Sequence, residues 1–268
     1  MQQLRIYFSD FFNISRETMH AYGVFDVSLI NDLPMFIDPF LLFNSDNPEY
    51  RALHAEMIKY VKFLRDKSSE SELDKGSMYA WYIFKEIKQN WLGFSRSGNR
   101  GRGLGPDFAS ALHKSLHTTF KDFGEEEVPE SPHFEKLTLF DSGVGKDNVS
   151  DFTTNLIKKY LLGYTQEFAR QYIDPALTKD FAVRRAEFNY KTETWVSRTY
   201  RLPTFLGDYV LLTRRVGRGW GFGFSDGGRE HFAVSLYHPP PGLTGYYALR
   251  GKCYTTHAWQ VLPLKIMC

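Results

Sequence analysis

The sequence predicts a mixed α+β protein, in which a helix-rich body carries an N-terminal β-hairpin and a later antiparallel strand pair. Three patterns predict this class. Apolar residues recur at three- and four-residue spacing over 50–64 and 151–172, which is typical of amphipathic helices. Apolar and polar residues alternate over 24–30, as in a half-buried strand. Two further strand-like runs meet around Pro203 and Gly207.

The hairpin is expected near the N-terminus. Residues 24–30 form its first strand, Asn31–Pro34 supply turn residues, and 35–37 return. Pro39 ends the second strand, because proline has no amide hydrogen to donate to a ladder.

Four helices are expected after the hairpin, separated by polar or glycine-rich segments. The apolar spacing predicts them over 50–64, 78–87, 108–116 and 151–172. Ser150 is a candidate N-cap for the last one, since its hydroxyl can accept from amides of the first turn. The polar run 67–76 is expected to be a surface loop, and 137–140 a short strand.

Composition changes after Thr213, which predicts a domain over 1–213 and an atypical tail over 214–268. The tail holds nine of the 21 glycines and both cysteines, with seven basic and only two acidic residues. Its charge balance is +5, against −3 for residues 1–213. One interpretation is a basic arm that binds nucleic acid, and the other is a frameshifted or disordered tail, because it keeps no binary pattern.

Bulk features exclude several classes of protein. A hydrophobic content of 43% is ample for a buried core, which argues against wholesale disorder. No apolar run reaches the length of a membrane span, and the N-terminus lacks the apolar stretch of a signal peptide. Residues 1–213 contain no cysteine, which excludes disulfides there. We therefore expect a cytoplasmic protein with no membrane partner.

The glycine-rich loop from Ser95 to Pro106 is the first candidate site. Its glycines allow backbone amides to approach a phosphate, and the following helix adds its positive end. Arg96, Arg100 and Arg102 are candidate nucleic-acid-binding residues through charge-assisted hydrogen bonds. The alternative is an exposed linker, since the loop lacks the lysine-Ser/Thr ending of a P-loop.

The segment from Gly143 to Asp151 is the second candidate site. Asp147 and Asp151 are candidate catalytic residues that offer hard oxygen ligands for Mg²⁺, and Lys146 can meet a phosphate. The alternative is a turn and a helix start, where acidic residues favour the helix dipole.

Two other patterns do not support a catalytic or metal-binding role. His113 and His117 lie one helical turn apart, but Lys114 occupies the position at which a zincin has its glutamate. Glu187 and Lys191 are separated by three residues, whereas the Glu-x-Lys strand of metal-dependent nucleases has only one residue between the two side chains. No metal ligand set is predicted from these residues.

Several segments resemble a largely uncharacterised bacterial family. The segments that carry the resemblance are Ala21–Pro34, Phe36–Leu42, Asn90–Phe94, Asp147–Ile157 and Phe188–Trp195, and it covers about residues 10–213. Longer members of that family end in a domain resembling the PD-(D/E)xK nuclease core. The resemblance thus implies a DNA-directed or anti-phage defence role.

The tail after residue 213 does not resemble that nuclease-like continuation, so the resemblance implies a truncated chain without its active site. The leading hypothesis is a non-catalytic N-terminal portion of a nuclease-like protein that recognises nucleic acid or a partner. One alternative is a metal-dependent phosphodiesterase that uses Asp147, Asp151 and Lys146 with Mg²⁺. The other is a protein–protein interaction module that makes no contact with nucleic acid.

Overall fold

The structure is a computed structural model, which describes residues 6–33, 35, 37–43, 45–70, 73–93, 104–118, 146–214, 224–226 and 229–231. The chain divides into two compact units, residues 1–234 and 235–268. The second unit lies wholly outside the described residues, so every element below belongs to the first. Among the described residues, no helix combines the length and the apolar character that crossing a bilayer requires.

The described part of the chain contains eight α-helices. They are α1 (Phe8–Phe12), α2 (Arg16–Tyr22), α3 (Pro39–Phe43), α4 (Pro48–Glu70), α5 (Lys75–Trp81), α6 (Pro106–Thr118), α7 (Lys146–Leu156) and α8 (Lys158–Tyr172). Two short 3₁₀ turns lie at Lys88–Asn90, between α5 and α6, and at Pro175–Leu177, after α8. The helix predicted at 50–64 is confirmed and continues to Glu70, through the start of the expected polar loop.

Three strands form the sheet that follows the helices. They are β1 (Thr178–Asn189), β2 (Thr194–Phe205) and β3 (Asp208–Tyr209), antiparallel and in the order β1-β2-β3. The α+β class and the late antiparallel strands are therefore confirmed, and β1 is an additional strand. Two more short strands, β4 (Phe224–Asp226) and β5 (Arg229–His231), pair with each other. Apart from Arg214, the remainder of the predicted tail lies outside the described residues.

In place of the expected N-terminal hairpin, the segment that starts at Val24 forms isolated bridges. Ser28 pairs with Tyr7, and Val24 pairs with Arg214. The Phe8 amide donates to Val27 O, and the Phe25 amide donates to Thr213 O. Because these backbone groups bond to the N-terminal segment and to residue 213, they do not form a ladder with 35–37 among the described residues.

The helix predicted over 151–172 starts five residues early and is divided at Ile157 into α7 and α8. Two side chains bond back to carbonyls just before the division, Thr154 to Ser150 O and Asn155 to Asp151 O. Such bonds compete with the helix ladder and often bend it. Ser150 consequently lies inside α7 rather than at its cap, and its hydroxyl accepts from the Ile37 amide at 2.9 Å.

Among the described residues, the buried apolar side chains form two clusters that share α8. The first joins α4, α6 and α7 to the β1–β2 hairpin, with Leu64 and Leu162 fully buried. The second joins the N-terminal helices to the end of α8 and includes Phe8 and Phe168. Helix α8 therefore contributes to both clusters, and one of its faces remains open between α4 and the hairpin.

Candidate functional site: an aromatic cleft between α4, α8 and the hairpin

A cleft of about 770 Å³ opens between α4, α8 and the β1–β2 hairpin. This volume lies within the range of about 300–1,000 Å³ that is usual for ligand sites. Its aromatic lining consists of Tyr22, Tyr60, Tyr160, Tyr164, Phe188, Tyr190 and Trp195. Its charged lining consists of Glu49, Glu56, Lys159, Glu167, Glu187 and Arg214. We call this site the aromatic cleft.

One face of α8 supplies a wall of the cleft. Tyr160, Gly163, Tyr164 and Glu167 line it at three- and four-residue spacing, which places them on a single side of the helix. The rings of Tyr160 and Tyr164 stack, with centroids 6.2 Å apart. Burial raises the pKa of both hydroxyls, so both phenols are neutral at physiological pH.

Gly163 leaves an open space in this wall. It lies inside α8, where glycine destabilises a helix by about 1 kcal/mol relative to alanine. A Cβ atom built at this position would meet nothing within 4 Å. Packing against a neighbour therefore does not account for the missing side chain, and its visible effect is to keep the cleft wide at this point.

An ion-pair network crosses the cleft from α8 to the hairpin. Lys159 Nζ donates to Glu187 Oε1 at 2.6 Å, and the Arg198 guanidinium lies 3.4 Å from the other oxygen. These contacts hold the pKa of Glu187 below its usual value, with the hydrogen bond from Lys159 as the largest cause. The Glu187 carboxylate is therefore ionised, and Lys159 and Arg198 balance its negative charge.

The three other carboxylates of the lining also face cations. Glu49 lies 3.9 Å from Arg214, and Glu56 lies 3.7 Å from Lys59. Glu167 accepts from Arg170 at 2.7 Å, and this hydrogen bond is the largest cause that lowers its pKa. Charges in and around the cleft are therefore nearly balanced, and aromatic side chains form the largest class of its lining residues.

Two polar atoms of the aromatic lining are buried without a hydrogen-bond partner among the described residues. They are the hydroxyl of Tyr160 and the indole nitrogen of Trp195. Arg214 and Tyr50 lie near the Tyr160 hydroxyl, but neither reaches it in hydrogen-bonding geometry. A buried polar group without a partner costs about 1–3 kcal/mol, so each of these atoms is a place where a ligand or a rearranged side chain gains a hydrogen bond.

A β-bulge interrupts the pairing of β1 with β2 beside the cleft. Val183 pairs with Arg198 and Glu187 pairs with Val196, so residues 184–186 stand opposite a single residue of β2. Arg185 takes a φ of 52° there, and its Nη1 donates to Ile83 O at 2.8 Å while Nη2 donates to Ala80 O. Its guanidinium also lies 5.2 Å from the Trp195 ring centroid.

Lys158 on α8 forms a hydrogen bond to the backbone of the bulge. It is only 8% exposed, and its ammonium group donates to Arg184 O at 2.9 Å. Burial, with a smaller effect of Arg185, lowers the pKa of Lys158 to about 8. A lysine so placed stabilises the bulged carbonyl but carries a desolvation penalty while it is charged.

The sequence-predicted residues do not meet in this cleft. Arg96, Arg100 and Arg102 lie outside the described residues, as do the side chains of Lys146 and Asp147, whose backbone begins α7. Asp151 is half-buried in α7 and does not line the cleft. Among the described residues there is no cluster of three or more His, Cys, Asp or Glu side chains that could hold a metal ion.

Two other residues considered in the sequence, His113 and Glu187, have defined contacts in the structure. His113 lies on α6 against the Tyr82 ring, and burial lowers its pKa. Glu187, considered in the sequence only with Lys191, instead bonds to Lys159 and lines the cleft. Its role was missed because its partner comes from α8, whereas Tyr160 and Tyr164 belonged to an apolar stripe visible in the sequence.

A family model described as Domain of unknown function (DUF8370) matches residues 13–215. The chain belongs to this family. Every residue that lines the aromatic cleft, from Tyr22 to Arg214, falls within the matched range, so the cleft is built entirely from the DUF8370 domain. Residues 216–268 lie outside the match. None of the curated proteins and none of the solved structures matches the chain.

Proposed function

We propose that this domain is the non-catalytic recognition part of a cytoplasmic, nuclease-like protein, and that it binds a protein partner in the aromatic cleft. The nuclease-like assignment rests on the family resemblance of the sequence. The choice of site rests on the cleft itself, which combines a ligand-sized volume, an aromatic lining and two unpartnered polar atoms. A role in anti-phage defence remains part of the same proposal.

The observation that carries this proposal is Gly163. A helix-interior glycine reduces stability, and no close neighbour explains it here. A site that must receive a ligand does explain it, because any side chain at this position would point into the space that the ligand needs. Stability given up at a position that lines a cleft is typical of functional sites.

The balanced charge of the cleft favours a protein over a nucleic acid as the ligand. Nucleic-acid affinity depends mainly on lysine and arginine that neutralise phosphates, which requires a surplus of positive charge. Each carboxylate of the cleft instead takes up a neighbouring cation. Tyrosine and tryptophan, which dominate the lining, are the residues enriched in the cores of protein–protein interfaces.

Site-specific photo-crosslinking in cells tests this proposal. A photoreactive phenylalanine derivative replaces Glu56, which is exposed and lines the cleft, or Arg51, which is exposed on the same helix but does not line it. We expect a discrete protein adduct from position 56 that position 51 does not give. An adduct that nuclease treatment removes would assign nucleic acid instead, and no adduct specific to position 56 would contradict the proposal.

A further inference from the structure

Arg214 enters the aromatic cleft at the point where the chain leaves the family domain. Its backbone is held by an antiparallel bridge to Val24, and the preceding carbonyl, Thr213 O, accepts from the Phe25 amide at 3.1 Å. The side chain lines the cleft beside α8. Because the backbone is fixed independently, the side chain can change position without unfolding the segment.

Three tyrosines and one carboxylate surround the Arg214 guanidinium. Its central carbon lies 5.6 Å from the ring centroid of Tyr50 and 5.8 Å from that of Tyr164. The Tyr160 ring packs against both tyrosines, with centroid distances of 6.4 and 6.2 Å. Glu49 supplies the negative charge. We call Tyr50, Tyr160, Tyr164 and Glu49 the tyrosine cage; rings at such distances attract a cation through their π faces.

Arg214 fills the cage loosely. Its ion pair with Glu49 spans 3.9 Å, and the two side chains are 37% and 55% exposed. The Tyr160 hydroxyl beside it is buried without a hydrogen bond of standard geometry, although the Arg214 guanidinium interacts with it favourably. A guanidinium has five donors, so an arginine that approaches at a better angle gains bonds that Arg214 does not make.

The charges of the cleft also favour a cation in the place of Arg214. Among the described lining residues, Lys159 is the one cation besides Arg214, and it is bonded to Glu187. When Arg214 swings out, Glu49 loses its partner and the cage becomes an aromatic site of negative charge. Arginine suits such a site better than lysine, because its planar guanidinium stacks on aromatic rings and binds carboxylates through two parallel hydrogen bonds.

Building on the function proposed above, we propose that the tyrosine cage is a subsite for an arginine side chain of the protein partner, and that Arg214 occupies this subsite in the partner's absence. The arginine of the partner displaces Arg214, bonds to Glu49 and reaches the Tyr160 hydroxyl. Arg214 thereby acts as an internal competitor that sets a threshold for binding. Although its individual contacts are weak, Arg214 competes effectively because a tethered side chain acts at a local concentration in the millimolar range or above.

Calorimetric titration of the full chain with N-acetyl-arginine amide tests the inference, with the uncharged N-acetyl-citrulline amide as the matched probe. The proteins are wild type, Arg214→Ala and Arg214→Gln, the last of which keeps part of the side-chain stem. Arg201→Ala is the control, since Arg201 is exposed and does not line the cleft. We expect both Arg214 variants to bind the arginine probe at least about tenfold more tightly than wild type, because internal competition is removed.

The carboxylate of the cage gives a second measurement. In the Arg214→Ala protein, Glu49→Gln should remove most of the preference for arginine over citrulline. Asp107→Asn, which also changes an acidic residue in the first turn of a long helix, should leave it unchanged. Equal binding of the two probes by folded Arg214 variants, or no gain over wild type, overturns the inference. That result leaves the partner site of the cleft intact if the position-56 adduct still forms, so the two failures are distinguishable.

Discussion

Lys158 places a positive charge in the interior, where one neighbouring group stabilises this charge and another disfavours it. The ammonium group donates to a carbonyl of the β-bulge, and Arg185, the other cation nearby, disfavours its charge further. The pKa of Lys158 in the folded state, about 8, lies below the ordinary lysine value of 10.5. Between these values the unfolded chain binds more protons than the folded protein, so stability rises with pH.

We therefore predict that Lys158 makes stability rise between pH 8 and 10. Relative to Lys158→Met, the free energy of unfolding of wild type should increase by about 2 kcal/mol from pH 7 to 9.5, at about 1.4 kcal/mol for each unit of pKa difference. Denaturant unfolding of both proteins across this range measures it. The subtraction removes the titration of all other groups. A difference that does not change with pH would show that Lys158 titrates normally.

Gly163 gives the second prediction at the residue scale. Gly163→Ala should raise the free energy of unfolding by about 0.5–1 kcal/mol, because alanine favours the helix and its Cβ meets no neighbour. Gly207→Ala is the contrasting variant, since Gly207 has a φ of 86° that alanine adopts only with strain. Urea unfolding measures both. Loss of stability in Gly163→Ala would mean that the wall of α8 is packed rather than open.

At the scale of elements, the sequence pattern predicts helices better than strands. The apolar stripes of α4, α6 and α8 are continuous, so their period is visible. In β1, Phe181 and Val183 alternate correctly, but the next apolar residues, Ala186 and Phe188, fall out of phase because the bulge inserts extra residues. The strand therefore shows no steady period of two, and the sequence analysis did not predict it.

The N-terminal segment differs from its prediction for another reason. The expected alternation of buried and exposed side chains over 24–30 is absent, because Val27, Ser28 and Leu29 are all buried. The partners of this segment are Tyr7 and Arg214, one close in sequence and one distant, rather than the nearby residues 35–37. A local pattern reports that a segment is extended, but the pairing depends on which backbone groups the rest of the fold brings to it.

We predict that Arg185 stabilises the bulged hairpin through its contacts with the last turn of α5 and the segment that follows it. Arg185→Ala should lower the free energy of unfolding by about 2–4 kcal/mol, because it leaves the carbonyls of Ala80 and Ile83 without this donor. Arg184→Ala, at an exposed neighbouring position, should change it by less than about 0.5 kcal/mol. Equal effects in the two variants would contradict the assignment.

At the scale of the whole molecule, the cleft was not predictable from the sequence because no single segment contains it. Its residues come from α2, α4, α7, α8, the hairpin and the segment at Arg214, nearly two hundred positions apart at the extremes. The two sites that the sequence did suggest are continuous segments, which a linear pattern displays most directly. Partial signals for the cleft existed in the tyrosines of α8 and in the unexplained glycine between them.

The loop arginines remain a separate prediction about nucleic acid. If the loop at 95–106 contacts DNA, Arg100→Ala plus Arg102→Ala should weaken binding of the full chain and reduce its salt dependence by about two released counterions. Fluorescence anisotropy with a labelled oligonucleotide over a salt series measures both quantities. Replacing Lys179 and Lys191, exposed cations that do not line the cleft, provides the charge-matched control. Equal salt slopes for all the proteins would remove the loop from consideration.

The central claim is that the space beside Gly163 is where the partner binds. The most direct measurement compares photo-crosslinking from position 56 in Gly163→Ala and Gly163→Leu proteins, after circular dichroism shows that both are folded. The methyl group leaves most of the space open, whereas the leucine side chain fills it. We predict that the adduct persists with alanine and is lost with leucine. An adduct of equal yield in the two folded variants would contradict the claim.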